Sequence, residues 1–251
     1  MFPESFKKTA LLIAVGLPAL TGAACFPAES SRLKTSELYA DFRAGHRPDG
    51  VGVSAELQVG SGASADVRLS SGDRLVAYAM GQAFPMTEQP CDRCVPGVIP
   101  PQGALLPASA ATGEIRIALE RTQGTSAPQS VTRLPSAHEI TFPPAGMFTS
   151  ASPASRSGLG TITVTWAPTA PEDTVDVNVT GCDSNIPRRL AAGSGQLSFD
   201  LRTLTPAAPS VPCDLYFQVV LSRQGTVDPA FGKGGQFLAT RERIAMITTA
   251  P

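Results

Sequence analysis

The alternation of apolar and polar residues is the feature that most limits how this chain can fold. In several segments the apolar residues occupy every second position, and polar residues such as Glu56 and Arg116 stand between them. A period of two places the apolar side chains on one face of a β-strand and the polar side chains on the other. The segments with this pattern are 51–59, 115–119, 162–166, 175–179, 197–201 and 215–221.

The composition fits a protein made of many short strands and turns. Glycine and proline each occur 23 times, and turn sequences such as Pro48-Asp49-Gly50 separate the alternating segments. No segment after the first 25 residues sustains a helical pattern beyond a turn or two. Half-buried strands at this spacing pack as two sheets that cover each other's apolar faces. The sequence therefore predicts an all-β protein of two immunoglobulin-like antiparallel β-sandwiches.

The first 24 residues have the pattern of an export signal peptide. Lys7 and Lys8 precede an uncharged apolar run over 9–20, and small residues fill 21–24. This order of charged, apolar and small residues is typical of a secretory leader. The apolar run is shorter than the roughly 20 residues that a membrane-spanning helix needs. We therefore expect residues 1–24 to be removed on export.

The end of this leader resembles the lipobox of bacterial lipoproteins. Gly22-Ala23-Ala24 leads directly into Cys25, the position at which that family carries its lipid. The resemblance implies a lipid on Cys25 that anchors the chain in a membrane of the bacterial cell envelope. Phe26 stands where an Asp often marks retention in the inner membrane, which favours the outer membrane. The alternative is ordinary secretory cleavage, which would leave Cys25 unmodified and the protein unanchored.

The number of cysteines favours the lipid. The chain has five, and an odd number in an exported protein leaves one thiol over. With Cys25 lipidated, Cys182 and Cys213 can form a structural disulfide between strands. Cys91 and Cys94 form a CxxC motif in a proline-rich loop, where a turn disulfide is the favoured interpretation. A zinc site and a redox site remain open there.

A polar, proline-containing stretch near 124–137 suggests a domain boundary. The predicted organisation is a lipid-anchored tether at 25–35, a first sandwich at 36–123, a linker at 124–135 and a second sandwich at 136–251. Within the first sandwich, 82–107 is expected to be an irregular insertion. Each sandwich has about the size of an immunoglobulin-like domain.

The segment Thr161–Pro168, TITVTWAP, resembles fibronectin type III and related immunoglobulin-like modules. In those modules a strand often ends in Trp and is followed by a proline-containing loop and another alternating strand. Trp166 and the strand expected at 174–180 occupy these places. The resemblance implies the fold class and no binding activity.

No catalytic arrangement is recognisable in the sequence. His46 and His138 are the only histidines, and neither lies in a hydrolase motif, so both are expected at the surface. Glu172, Asp173 and Asp176 form an acidic cluster that lacks the spacing of calcium loops, and we expect a solvated loop there. The sequence thus predicts no catalytic residues, no metal and no cofactor.

The glycine-rich stretch near 232–235 is expected to turn between the last two strands. Loop tips of sandwiches often bind partners, which makes Phe231 and Lys233 candidate binding residues. The net charge is −1 without a basic stripe, which argues against nucleic acid as a partner.

We therefore expect a non-enzymatic envelope lipoprotein that binds the membrane through Cys25 and binds an envelope protein or a polysaccharide. The alternative is a periplasmic or secreted metal-dependent or hydrolytic enzyme module.

Overall fold

A computed structural model describes residues 27–61, 65–90, 99–142, 154–155, 161–182, 184–200 and 211–250. The first ten strands are β1 Ala28–Glu29, β2 Leu38–Arg47, β3 Gly50–Val59, β4 Val67–Arg68, β5 Arg74–Ala79, β6 Gln82–Pro85, β7 Thr87–Glu88, β8 Gln102–Leu106, β9 Glu114–Glu120 and β10 Ala127–Arg133. The others are β11 Glu139–Thr141, β12 Ala154–Ser155, β13 Thr161–Ala167, β14 Thr174–Gly181, β15 Ser184–Leu190, β16 Gln196–Asp200, β17 Cys213–Gln224 and β18 Gly235–Ala250. Short 3₁₀ helices span Ser30–Arg32, Thr35–Glu37 and Ala108–Thr112.

The first sandwich packs the four-stranded sheet β10-β9-β5-β6 against β2, β3, β8 and the beginning of β18. Alternation along β2 explains this face, because Leu38, Ala40, Phe42 and Ala44 are all buried while the residues between them are not. The ring of Phe42 meets two other phenylalanine rings edge to face at centroid distances of 5.6 and 5.8 Å. Edge-to-face packing of this kind adds to the burial of aromatic side chains.

The second sandwich packs the three-stranded sheet β11-β13-β16 against β15, β14, β17 and the end of β18. Trp166 at the end of β13 is 2% exposed, and its indole N–H donates to the carbonyl oxygen of Ser194 at 2.7 Å. The buried indole therefore keeps a hydrogen-bond partner, as such groups usually do. The burial along β13 alternates residue by residue as the sequence predicts.

Strand β18 belongs to both sandwiches. Its first part, Gly235–Thr240, pairs in parallel with β2, and Leu238–Thr249 pairs antiparallel with β17. Phe237 and Ala239 lie in the first core, and Ile247 lies in the second. One nine-stranded sheet consequently runs through both sandwiches. This differs from the predicted division, which assigns every residue from 136 onward to the second sandwich.

The all-β sandwich fold predicted from the sequence is confirmed, and each of the six alternating segments lies in a strand over its described residues. The prediction of an irregular insertion at 82–107 is wrong for its described residues, which contain β6, β7 and β8. These short strands complete sheet edges, since β6 pairs with β5 and β8 pairs with β3. No helix in the described residues is long and apolar enough to cross a membrane.

Candidate functional site

The segment that follows the predicted anchor docks on the first sandwich. Arg121, at the end of β9, forms an ion pair with Asp73 at 3.0 Å, and both side chains are 2% exposed. The same guanidinium donates to the carbonyl oxygens of Ser30 at 2.6 Å and Leu33 at 2.9 Å, and to the hydroxyl of Thr35 at 3.1 Å. A buried ion pair is tolerated only when its remaining hydrogen-bonding groups are satisfied, and these two carbonyl oxygens and the hydroxyl satisfy Arg121.

The predicted tether at 25–35 is therefore not a free spacer over its described residues. Ala28 donates its N–H to the carbonyl oxygen of Asp66 at 3.0 Å, and β1 pairs in parallel with β4. Ser30 and Thr35 are both buried. A polar composition suggests solvated chain, but here the polar groups are used to bind Arg121.

The predicted pairing of Cys182 with Cys213 is confirmed. The two sulfur atoms are bonded, and the Cα atoms are 5.4 Å apart, within the usual range for a disulfide. The register explains the approach, because Gly181 at the end of β14 pairs with Leu215 near the start of β17. Gly181 has φ +114°, and a Cβ there would collide with the backbone of Asp214. The bridge thus closes the second sandwich at one end of its larger sheet.

The other predicted cysteine assignments lie outside the described residues. Cys25 falls within 1–26, and Cys91 and Cys94 fall within 91–98. The lipid on Cys25 and the turn disulfide therefore stay predictions.

The loop before β18 does not present Phe231 as a binding residue. Phe231 is 2% exposed and packs in the first core against Phe42, so the prediction of a surface role for its ring is corrected. Lys233 is exposed, and its backbone N–H donates to the carbonyl oxygen of Leu38 at 3.3 Å. The turn itself forms between the last two strands, as predicted. Its aromatic residue faces inward because the loop packs beside β2.

The acidic cluster is neutralised by arginines. Asp173 is fully buried and accepts two hydrogen bonds from Arg223, at 2.7 and 3.1 Å, and Glu172 pairs with the same arginine at 3.1 Å. The hydrogen bond to Asp173 raises the pKa of Arg223. Asp176 pairs with Arg189 at 2.9 Å. The prediction of a solvated loop is corrected for Asp173, since its carboxylate is buried within an ion pair.

The described residues contain no group of three or more His, Cys, Asp or Glu side chains that could hold a metal ion. His138 corrects another prediction, because it is 1% exposed rather than at the surface. Its chain segment leads from β10 into β11. His46, at the end of β2, is exposed as expected.

A cluster of cationic groups occupies the stretch of β18 between the two cores. Arg241 and Arg243 lie on the same face of β18 as Phe237 and Ile247, by the two-residue period of the strand. Arg241 is 7% exposed, and its Nε has no hydrogen-bond partner. Its Nη2 donates to the carbonyl oxygen of Ala111 at 3.4 Å. Burial and the charge of Arg243 both lower the pKa of Arg241.

Both histidines belong to this junction. Burial, and then the charges of Arg241 and Arg243, lower the pKa of His46. Burial is also the main cause of the lowered pKa of His138, and the same two arginines contribute. Interactions of the His138 ring with the backbone of Val219 and of Ser136 raise this pKa and so partly oppose the shift. Neither ring nitrogen of His138 makes a hydrogen bond of good geometry, however.

Sequence reasoning missed Arg241, although a signal for it exists. Alternation from Phe237 through Ala239 assigns position 241 to the buried face, and an arginine there is anomalous. Arginine is almost never fully buried unless it is paired. A search for charged residues at predicted core positions would have identified it.

Comparisons with known proteins give similarity in structure only. No protein-family model matches the sequence, and no curated protein matches it. A cytokine receptor complex is 17% identical, with 84% of this chain and 97% of that chain covered and a TM-score of 0.30. A structure on host cell surface retention of a 1.5-MDa bacterial ice-binding adhesin is 12% identical, with 85% and 64% covered and a TM-score of 0.25.

The chicken CNTN1 FN1–FN3 domains are 11% identical, with 84% of this chain and 64% of that chain covered and a TM-score of 0.21. This chain thus spans less than two thirds of the adhesin and CNTN1 chains.

Proposed function

We propose that this protein is a non-enzymatic binding module outside the cytoplasm, anchored in the bacterial envelope by a lipid on Cys25. The observation that carries the proposal is the Cys182–Cys213 disulfide within the packed second sandwich. Structural disulfides persist in oxidising compartments and are rare in the cytosol. The export signal predicted over residues 1–24, directly before Cys25, agrees with that compartment.

The docked N-terminal segment adds a geometric consequence. Cys25 precedes Ala28 by three residues, and Ala28 is hydrogen-bonded to Asp66 on the first sandwich. Three residues span at most about 10 Å when fully extended. A lipid on Cys25 would therefore hold the first sandwich at the membrane surface, with the second sandwich extending the same sheet. We place the protein in the outer membrane, where it would bind an envelope protein or a polysaccharide.

Membrane fractionation of a Cys25→Ser variant tests the anchor. The unaltered chain, produced in a bacterium, is expected in the membrane fraction, with the intact mass of a chain that starts at Cys25 and carries diacylglycerol. Cys25→Ser is expected in the soluble fraction or uncleaved, and the matched control Lys34→Ala is expected to remain lipidated. Recovery of an unaltered chain without lipid from the soluble fraction would contradict the anchor and favour a secreted sandwich protein.

A further inference from the structure

Among the described residues, one edge of β18 lacks a strand partner at the junction between the two sandwiches. On the side away from β17, the described residues give β18 strand partners only at Gly235–Thr240, from β2, and at its last two residues, from β12. Residues 241–248 have no strand neighbour on that side within the described ranges. The rim of this edge is exposed to solvent at His46 and Arg243.

Beneath this exposed rim lie two buried polar side chains that contain nitrogen atoms without a hydrogen bond of good geometry. Arg241 is 93% buried with its Nε unpaired, and His138 is 99% buried with both ring nitrogens unpaired. Buried polar atoms in folded proteins are nearly always hydrogen-bonded, and each exception calls for an explanation such as a bound ion or water. A buried charge without a counter-charge is more unfavourable still.

No carboxylate among the described residues neutralises this cluster. Glu242 is adjacent in sequence, but it lies on the opposite face of β18 and accepts a hydrogen bond from Gln218 at 2.9 Å. Across the junction, Glu114 pairs with Arg133. Asp173 pairs with Arg223. Within the part of the chain that the structure describes, the cluster thus combines two permanent positive charges with two imidazoles and contains no negative group.

We propose that this junction binds an oxyanion, a carboxylate or a phosphate group, with Arg241 as the buried ligand and Arg243 at the rim. An unpaired Nε beside an Nη of the same guanidinium is the fork that binds two oxygens of one oxyanion. Imidazole N–H groups supply further donors, from His46 at the rim and from the buried His138. This inference deepens the proposed binding role and rests on it, but it does not depend on the lipid anchor.

The two histidines make the site directly observable by NMR, because they are the only ones in the chain. The full chain is titrated with inorganic phosphate and separately with acetate, and sodium chloride at matched ionic strength is the reference. Binding is expected to shift the ring signals of both histidines saturably with phosphate, acetate or both, and the two arms identify the preferred oxyanion. Shifts equal to those in sodium chloride with both probes would overturn the proposal.

Variants locate the binding in the cluster. Arg243→Met removes an exposed side chain and is expected to weaken binding at least about tenfold, the loss typical of one charged hydrogen bond. Arg241→Met is expected to abolish binding, and the matched control Arg188→Met, exposed on β15, should leave affinity unchanged. Equal affinities in all three variants would overturn the assignment. Neither result bears on the intact mass that tests the lipid on Cys25. Failure of this site and failure of the anchor are therefore distinguishable.

Discussion

The two sandwiches share a sheet but are closed by different devices. In the first, the buried Arg121–Asp73 pair binds the segment at 30–35 to the end of β9. In the second, the Cys182–Cys213 disulfide joins the end of β14 to the start of β17. The ion pair stabilises only while every group in it stays satisfied. The disulfide acts mainly by restricting the unfolded chain.

This contrast shows that two sandwiches built on one sheet can be stabilised by different interactions, each of which is lost through a different change. The first sandwich should be sensitive to loss of a single charge, and the second to loss of a covalent bond. Strand β18 carries side chains into both cores, so damage to either sandwich should also affect the other.

Removing the buried charge should give the largest effect. Arg121→Met leaves the Asp73 carboxylate buried without a counter-charge, with the N–H of Thr122 as its remaining donor, and we expect the free energy of unfolding to fall by about 3–5 kcal/mol. The measurement is urea unfolding of the full chain followed by circular dichroism. Arg74→Met is the matched control, because it breaks the exposed pair with Glu120 and should cost at most about 1 kcal/mol. Equal losses in the two variants would contradict the role given to Arg121.

Removing the covalent link should cost slightly less. The cysteines of this disulfide are 31 residues apart, and closing a loop of that length stabilises by about 3–4 kcal/mol in the chain-entropy treatment. We therefore expect the double variant Cys182→Ala, Cys213→Ala to lose stability in that range without reducing agent. Calorimetric unfolding measures the loss, and a change within about 0.5 kcal/mol would show that the bridge contributes little.

Lowering the pH should reduce the free energy of unfolding gradually, and by less than the two changes above. The pKa of His138 lies below the value of about 6.5 expected in the unfolded chain. Between these two pKa values the unfolded chain binds more protons, so stability is present above about pH 6.5 and is lost as pH falls through the folded pKa. We expect His138→Leu to lose less stability than the unaltered chain when the pH of urea unfolding is lowered from 7.5 to 5.5.

The matched control for this prediction is His46→Gln. His46 is exposed, so its removal should retain most of the dependence on pH. If His138→Leu and the unaltered chain lost equal stability on acidification, burial of a neutral His138 would be contradicted.

Sequence alone predicts the strands of this protein better than their partners. Period-two patterns such as Ile162, Val164 and Trp166 determine the burial within a strand, because alternate side chains point to opposite faces. The same pattern in β18 does not say that Phe237 and Ile247 serve different cores. That distinction depends on where β2 stops pairing with β18.

Polar contacts between segments that are distant in the sequence could not be predicted from the sequence either. Asp73 and Arg121 are 48 residues apart, and nothing local marks either as buried. The sequence around His138 predicts a surface position, because its neighbours are polar or small. The segment that connects β10 to β11 nevertheless buries it. Arg241 is the exception, since its position in the alternation could have revealed it.

The most direct test of the shared strand uses Trp166, the only tryptophan of the chain, which lies in the second core. Its fluorescence follows unfolding of the second sandwich in the Arg121→Met variant, whose change lies in the first. Because β18 carries side chains into both cores, we expect the midpoint of the Trp166 transition to move to lower urea together with the circular dichroism transition. An unchanged Trp166 midpoint, with an earlier separate loss of circular dichroism, would show that the two sandwiches unfold independently.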